Sequence, residues 1–236
     1  MGQYSPMTIS GNPRTDAVSY GPDIGTETEL RLLGHVADKR VLELGCGRGE
    51  RAVAFARQGA HVIGVSASGD DLAAARRLAD HEGVKIELRH GDLAELAFVR
   101  ADSIDLAFSA YALGEVDDLP RVFRQVHRVL KTGAPLVFSL LHPVYSMLDT
   151  SGEHPLAICR SYFDGSPIDG DWDAHPPPDS HLTVSDLFTA LMRTNFRVDA
   201  MVEPRPRADG PRSAEWHEAF QWVPHTLVVR ARKEGI

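Results

Sequence analysis

The sequence predicts an α/β fold: a mostly parallel sheet of seven strands with helices on both faces and a long insertion after the fifth strand. Three observations carry this. Between residues 40 and 141, short apolar runs alternate with amphipathic helical patterns, the signature of β-α units. The runs are apolar on both sides of the pleat, as in strands covered on two faces. The alternation then stops at His142 and resumes only after Leu182, across a stretch rich in Pro, Gly, Asp, Ser and His without a period.

The elements follow in order. Residues 1–25 are rich in Gly, Pro, Ser and Thr and read as an irregular arm. Thr26 and Glu29 form a capping box before Leu30, Leu32, Leu33 and Val36, which predicts an amphipathic helix. Arg40–Leu44 is the first strand, Ala52–Gln58 the next helix, and Gly59 its stop. His61–Val65 is the second strand. Ser68 to Asp71 opens a helix with Leu72, Ala75, Leu78 and Ala79 on one face. Val84–Leu88 alternates as the third strand, and Ser103–Ser109 is the fourth, nearly all apolar around Asp105. Asp118, Leu119 and Pro120 start a helix whose inner face is Val122, Phe123, Val126, Val129 and Leu130; Gly133 closes it. Pro135–Leu141 is the fifth strand. Thr183 to Asp186 cap a helix carrying Leu187, Ala190 and Leu191. Phe196–Val202 and Trp222–Ala231 close the sheet, the last strand as an antiparallel partner. The chain, 1–236, thus reads as one domain with an arm (1–25), a candidate lid (142–182) and a second loop insertion (203–218).

Composition bounds the function. Apolar residues make up 43% and charged residues 25%, ordinary for a globular protein. The net charge of −8 argues against a nucleic-acid partner, and the Arg-rich stretch 205–212 is short and interrupted by Asp209. No apolar run approaches a membrane span, and Met1 to Pro6 lacks the pattern of a secretory signal. There are two cysteines, and Cys46 lies inside a glycine loop, a poor place for a disulfide. The expectation is a cytoplasmic protein, monomer or homodimer, without nucleic-acid or membrane partners.

The chemistry concentrates at residues 41–50, VLELGCGRGE. A buried strand carrying Glu43 runs into Gly45, Gly47 and Gly49 and then a helix start. Such a turn lets backbone approach a ligand and offers unpaired N–H groups. A dinucleotide loop reads G-x-G-x-x-G, whereas here the spacing is G-x-G-x-G. No G-K-[S/T] follows, so a phosphate-binding P-loop is excluded. A carboxylate beside the turn repels pyrophosphate and suits a cation.

This pattern resembles the glycine motif of class I S-adenosylmethionine-dependent methyltransferases, with a Rossmann-like sheet, and the resemblance is closest from Tyr20 to Leu141. It implies S-adenosylmethionine as cofactor and S-adenosylhomocysteine as product. Glu43, Gly45, Cys46 and Gly47 would hold the methionine part. Gly91, Asp92 and Leu93 match the adenine segment: the Asp92 carboxylate would accept from the adenine amino group and the Leu93 amide would donate to a ring nitrogen. Asp92 also reads as a helix N-cap. Ser109 and Ala110, ending the fourth strand, match the lining of the methyl region, and Tyr111 is a pocket wall or core. Tyr20, Gly21 and Pro22 resemble a segment that folds over the cofactor, which would bring the Tyr20 hydroxyl to its carboxylate. One position departs from the family. Its second strand ordinarily ends in an acid that chelates the ribose hydroxyls, and this chain has Ser66, followed by Ala67. One neutral hydrogen bond replaces two charge-assisted ones, so weaker binding is expected unless Asp70 or Asp71 reaches back.

The expected reaction is in-line methyl transfer to a small organic molecule, which mainly needs alignment. A macromolecular methyltransferase for tRNA or protein and a non-catalytic S-adenosylmethionine binder are the alternatives; a nicotinamide enzyme is disfavoured by the spacing. Tyr111 and His142 are the catalytic candidates. His142 follows the fifth strand at the ligand end of the sheet and titrates in the useful range; the other reading is a histidine that positions the lid. His154, His175, His181 and the acidic segment 169–173 lie in that lid. No metal is expected, since Cys46, His142 and Cys159 lack zinc spacing and Glu115, Asp117 and Asp118 read as a cap.

Overall fold

The computed structural model describes residues 15–149, 156–165 and 182–235. Its main sheet contains β1 (Arg40–Leu44), β2 (His61–Ser66), β3 (Ile86–His90), β4 (Leu106–Ala110), β5 (Pro135–Leu141), β8 (Phe196–Val202) and β9 (Thr226–Lys233). The strand order is β3-β2-β1-β4-β5-β9-β8. The pairs among β1 to β5 are parallel, and β9 runs antiparallel between β5 and β8. β6 (Leu148–Asp149) and β7 (Ala157–Ile158) form a separate small ladder.

Chain direction reverses outward from β1 and β4, so the crevice lies beyond their carboxyl ends. Because β9 is antiparallel, its beginning reaches this same edge, with Thr226 opposite Leu141. The end of β8 also lies there, Val202 pairing with Val228.

Two apolar layers sandwich the sheet. One combines Val18, Tyr20, Ile24, Leu32, Leu33 and Val36 with Ala52 and Phe55 of α2 (Glu50–Arg57). The other joins Val122, Phe123 and Val126 of α4 (Leu119–Val129) to Leu187 and Leu191 of α5 (Val184–Arg193). α3 (Gly69–Glu82) packs beside α2.

Several boundaries differ from the sequence expectation, four of them for visible physical reasons or by two or more residues. The capping box at Thr26 forms, but α1 spans only Glu27–Leu30. Arg31 turns left-handed at φ 52°, and the Glu27 carboxylate accepts from the N–H groups of Leu32 and Leu33 at 2.9 Å each, so the chain is caught in a loop whose apolar residues still reach the core. β3 begins two residues late, at Ile86. β4 begins at Leu106 because Asp105 is a clamp: its carboxylate accepts from Arg40 N and Lys131 Nζ. β9 begins at Thr226, since Glu218–Gln221 form a 3-10 turn and Trp222 is exposed. Of the candidate lid, the 3-10 turn Tyr145–Met147, the small ladder and residues 160–165 are described; His154, His175, His181 and the 169–173 segment lie outside the described residues.

Candidate functional site

The glycine turn follows β1 at the crevice. Gly45, Gly47 and Gly49 all take positive φ. A Cβ at Gly45 would lie 2.1 Å from Ala112 Cβ, so only glycine lets the β1 turn lie against the turn after β4. The amides of Gly45 and Cys46 both donate to Val65 O at 2.9 Å, locking the turn to β2. The Cys46 side chain is buried against Gly64, and burial first, then the nearby Glu43, pushes its thiol pKa up; it is a packing group.

Glu43 is fully buried, and neither carboxylate oxygen has a hydrogen-bond partner. Burial pushes its pKa up to about 8, with Arg51 pulling the other way. A buried carboxylate without partners costs free energy, which a cationic ligand would offset.

The ends of β2 and β3 are tied together. Gly91 N donates to Ser66 O at 3.1 Å, and His90 Nε2 lies 2.9 Å from Ala67 O. Ser66 Oγ accepts from Ser68 N at 3.1 Å. Asp92 is exposed, and its Oδ1 accepts from Ala94 N at 2.8 Å, which pins a turn; no helix follows, so it is not a helix N-cap. Leu93 is buried and approaches Gly45. Asp71, one helical turn before Ala75, shares its face, and a Cβ at Gly49 would lie 2.8 Å from Ala75 Cβ. That face is turned to the glycine loop. Asp71 Oδ2 is buried without a partner, and burial raises its pKa against the pull of Arg48.

Several expected roles change. The Tyr20 hydroxyl donates to Glu27 Oε2 at 2.5 Å inside the core, so it does not reach a ligand; the ring is fully buried and tilts against Phe108. The arm meets the end of β4 through Gly21, whose Cβ position lies 2.6 Å from the Tyr111 hydroxyl. Ser109 is also internal: its Oγ donates to Leu44 O at 2.9 Å, and the Ala110 side chain is core, because β4 is covered on both faces.

His142 is buried with both ring nitrogens engaged. Nδ1 accepts from Val144 N at 3.1 Å, which places the ring proton on Nε2, 2.9 Å from Glu203 Oε1. Burial lowers its pKa, partly opposed by Glu203. In this arrangement no ring lone pair is left for a substrate proton; His142 holds the turn after β5. Asp118 caps α4 by accepting from Arg121 N at 2.9 Å.

Sequence reasoning missed His225. This residue, just before β9, is buried at the crevice edge. It stacks on Phe220 with centroids 4.0 Å apart and meets Tyr145 edge-on. Its ring and the Thr226 hydroxyl contact Tyr111. Only the His-Thr pair that follows Pro224 at the start of the last strand could have signalled it.

Residues 41–133 match the family model described as a methyltransferase domain. An S-adenosylmethionine-dependent methyltransferase from Mesorhizobium loti is 31% identical, superimposes with a TM-score of 0.72, and is covered over 94% of its length by 86% of this chain. The chain belongs to the class I S-adenosylmethionine-dependent methyltransferases. A ubiquinone biosynthesis O-methyltransferase from Hahella chejuensis is 38% identical to it over 104 residues, 44% of each chain. An uncharacterized Haemophilus influenzae protein is 25% identical across 93% of this chain and 91% of its own. The methyltransferase uses S-adenosylmethionine and releases S-adenosylhomocysteine. The partnerless carboxylate of Glu43 and the open glycine turn fit that cationic cofactor. Among the described residues no helix is long and apolar enough to cross a membrane.

Proposed function

We propose that this methyltransferase transfers the methyl group to a small organic molecule. The observation that carries the cofactor half is Glu43, a buried carboxylate without a partner beside a glycine turn, placed for the ammonium of the methionine part. The small-molecule half is supported by the net charge of −8 and by the partial match to an enzyme named for ubiquinone biosynthesis.

In this reading the backbone of Gly45, Cys46 and Gly47 receives the methionine part. Ala67 and Gly91 flank the adenosine, Asp92 accepts from the adenine amino group and the Leu93 amide donates to the ring. Asp71 supplies the carboxylate that Ser66 lacks: its orphaned Oδ2 accepts a ribose hydroxyl, while Ser66 adds a neutral hydrogen bond. Bound S-adenosylmethionine brings a methyl group on a cationic sulfur that leaves as a neutral thioether. The protein's own work is to hold the acceptor in line with that methyl, exclude water under the arm, and take the acceptor's proton.

Calorimetry with S-adenosylhomocysteine on wild type, Asp71→Asn and Ser66→Asp tests the cofactor half. Asp71→Asn should weaken binding about tenfold, in line with one charge-assisted hydrogen bond. No binding by wild type would sink the reading. Methyl-labelled S-adenosylmethionine incubated with separate small-molecule, tRNA and protein fractions of a bacterial extract tests the other half; label confined to tRNA or protein would overturn it.

A further inference from the structure

Resting on the methyl-transfer reading, we propose that Tyr111, Thr226 and His225 form a proton relay serving a protic acceptor, a neutral alcohol, phenol or amine. The His225 imidazole is the proton's destination. His142, the sequence's candidate, is excluded by its bonding.

The relay starts at Tyr111. It is a bulky residue at φ 65°, a backbone conformation such residues rarely adopt. Such outliers persist where surroundings enforce them, often at sites of function. Here the enforcement is visible. Tyr111 N donates to Ser139 O at 2.9 Å, and the hydroxyl lies 2.5 Å from Thr226 Oγ1 and 3.3 Å from His225 Nε2. Thr226 Oγ1 in turn lies 2.9 Å from His225 Nδ1. The three groups close a triangle drawn from β4 and the start of β9, over a hundred residues apart in sequence.

Its position ties the triangle to the cofactor. The residue after Tyr111, Ala112, touches the glycine turn at Gly45, and Gly21 of the arm closes over the Tyr111 hydroxyl. Tyr111 therefore lies between the cofactor loop and the covering arm.

Aromatic rings pack around His225. Phe220 stacks on the ring and Tyr145 meets it edge-on from the turn after β5. The His225 carbonyl accepts from His142 N at 2.9 Å, and the His142 ring is tied to Glu203. Among the described residues, the titratable groups on these elements are Tyr111, Tyr145, the His142–Glu203 pair, and His217 and Glu218 at the Phe220 turn.

The step balances. The acceptor X–H passes its proton to the Tyr111 oxygen as the Tyr111 hydrogen moves to Thr226 Oγ1 and the Thr226 hydrogen to His225. The electron pair freed on X forms the new X–CH3 bond, and the S–CH3 pair stays on sulfur. The positive charge that began on sulfonium ends on imidazolium, which loses its proton to water after turnover. An acceptor without a removable proton, such as a thioether, has no use for the relay.

The test is NMR on the full chain labelled with 13C-His and 13C-Tyr, saturated with S-adenosylhomocysteine, from pH 5 to 9. His225→Gln and Tyr111→Phe assign the signals. His225 should titrate within this range, and the Tyr111 ring carbon should shift with the same midpoint. Thr226→Val should remove most of the Tyr111 response, and Thr226→Ser, which keeps the hydroxyl, should retain it. A His225 that holds one protonation state throughout, a Tyr111 that does not follow it, or an unchanged response in Thr226→Val overturns the relay. Absence of S-adenosylhomocysteine binding by wild type in calorimetry is a separate failure, of the methyl-transfer reading itself.

Discussion

Asp23 in the N-terminal arm is bonded to Ser213 across most of the chain: its carboxylate accepts from both the Ser213 amide and hydroxyl. Arg207 N donates to the Asp23 carbonyl at 2.7 Å, and Arg51 Nε donates to Ser19 O at 3.0 Å. The arm is thus fastened to the loop between β8 and β9 and to α2. Asp23→Ala should release this fastening at a cost of about 1–3 kcal/mol. The expected result is several-fold faster proteolysis within the arm and faster dissociation of S-adenosylhomocysteine, with the sheet's melting little changed.

Glu43 should make cofactor binding release a proton. Its pKa in the free protein is about 8, above the ordinary 4.5, so it is protonated at pH 6.5 and ionises against the ammonium. Calorimetry at that pH in buffers of different ionisation enthalpy should show about one proton released. Glu43→Gln should abolish the release and weaken binding by about 1.5–3 kcal/mol. For the free protein the sign is that of a raised carboxyl. Its contribution is full below about 4.5 and is lost as pH rises through about 8, so Glu43→Gln should raise the free protein's stability above pH 8.

Gly45→Ala meets two penalties. The residue sits at φ +72°, and the new methyl would lie 2.1 Å from Ala112 Cβ. Left-handed backbone costs about 1–2 kcal/mol, and overpacking a further 1–3. Denaturant unfolding should show the loss, and S-adenosylhomocysteine binding should fall more steeply than stability, because the cofactor turn itself must move.

His142 should report as a structural group. Burial depresses its pKa, so the stability it contributes is present above the ordinary histidine range and is lost as pH falls through its lower folded value. Wild type should lose melting temperature on acidification from pH 7.5 to 5, and His142→Gln should flatten that slope. At pH 7.5 the variant should cost about 1–3 kcal/mol through the lost pins to Val144 and Glu203.

Local patterns made much of this legible. Arg40–Leu44, Pro135–Leu141 and Phe196–Val202 are strands with the bounds their apolar runs predict; burial on both faces leaves the first two little freedom, while the third is an edge strand that alternates. The helix expected beyond Thr26 failed because the Glu27 carboxylate captures the amides that would have continued it, a tertiary choice that periodicity cannot see. The glycine turn after β1 and the burial of Glu43 could be read directly, being contiguous. Tyr20 could not, since the partner of its hydroxyl follows from the shortened helix. His225 was hidden for a different reason: its contact with Tyr111 spans 114 positions and exists only once β9 inserts beside β5.

The central place of β9 also dictates an order of assembly. Among the seven strands it is made last by the ribosome, yet it lies inside the sheet, between β5 and β8. Until it emerges, β5 presents an open hydrogen-bonding edge and β8 has no partner, so the nascent chain carries a half-sheet prone to pairing with other chains. Removing residues 226–233 should therefore yield an aggregating product, not a weakened enzyme.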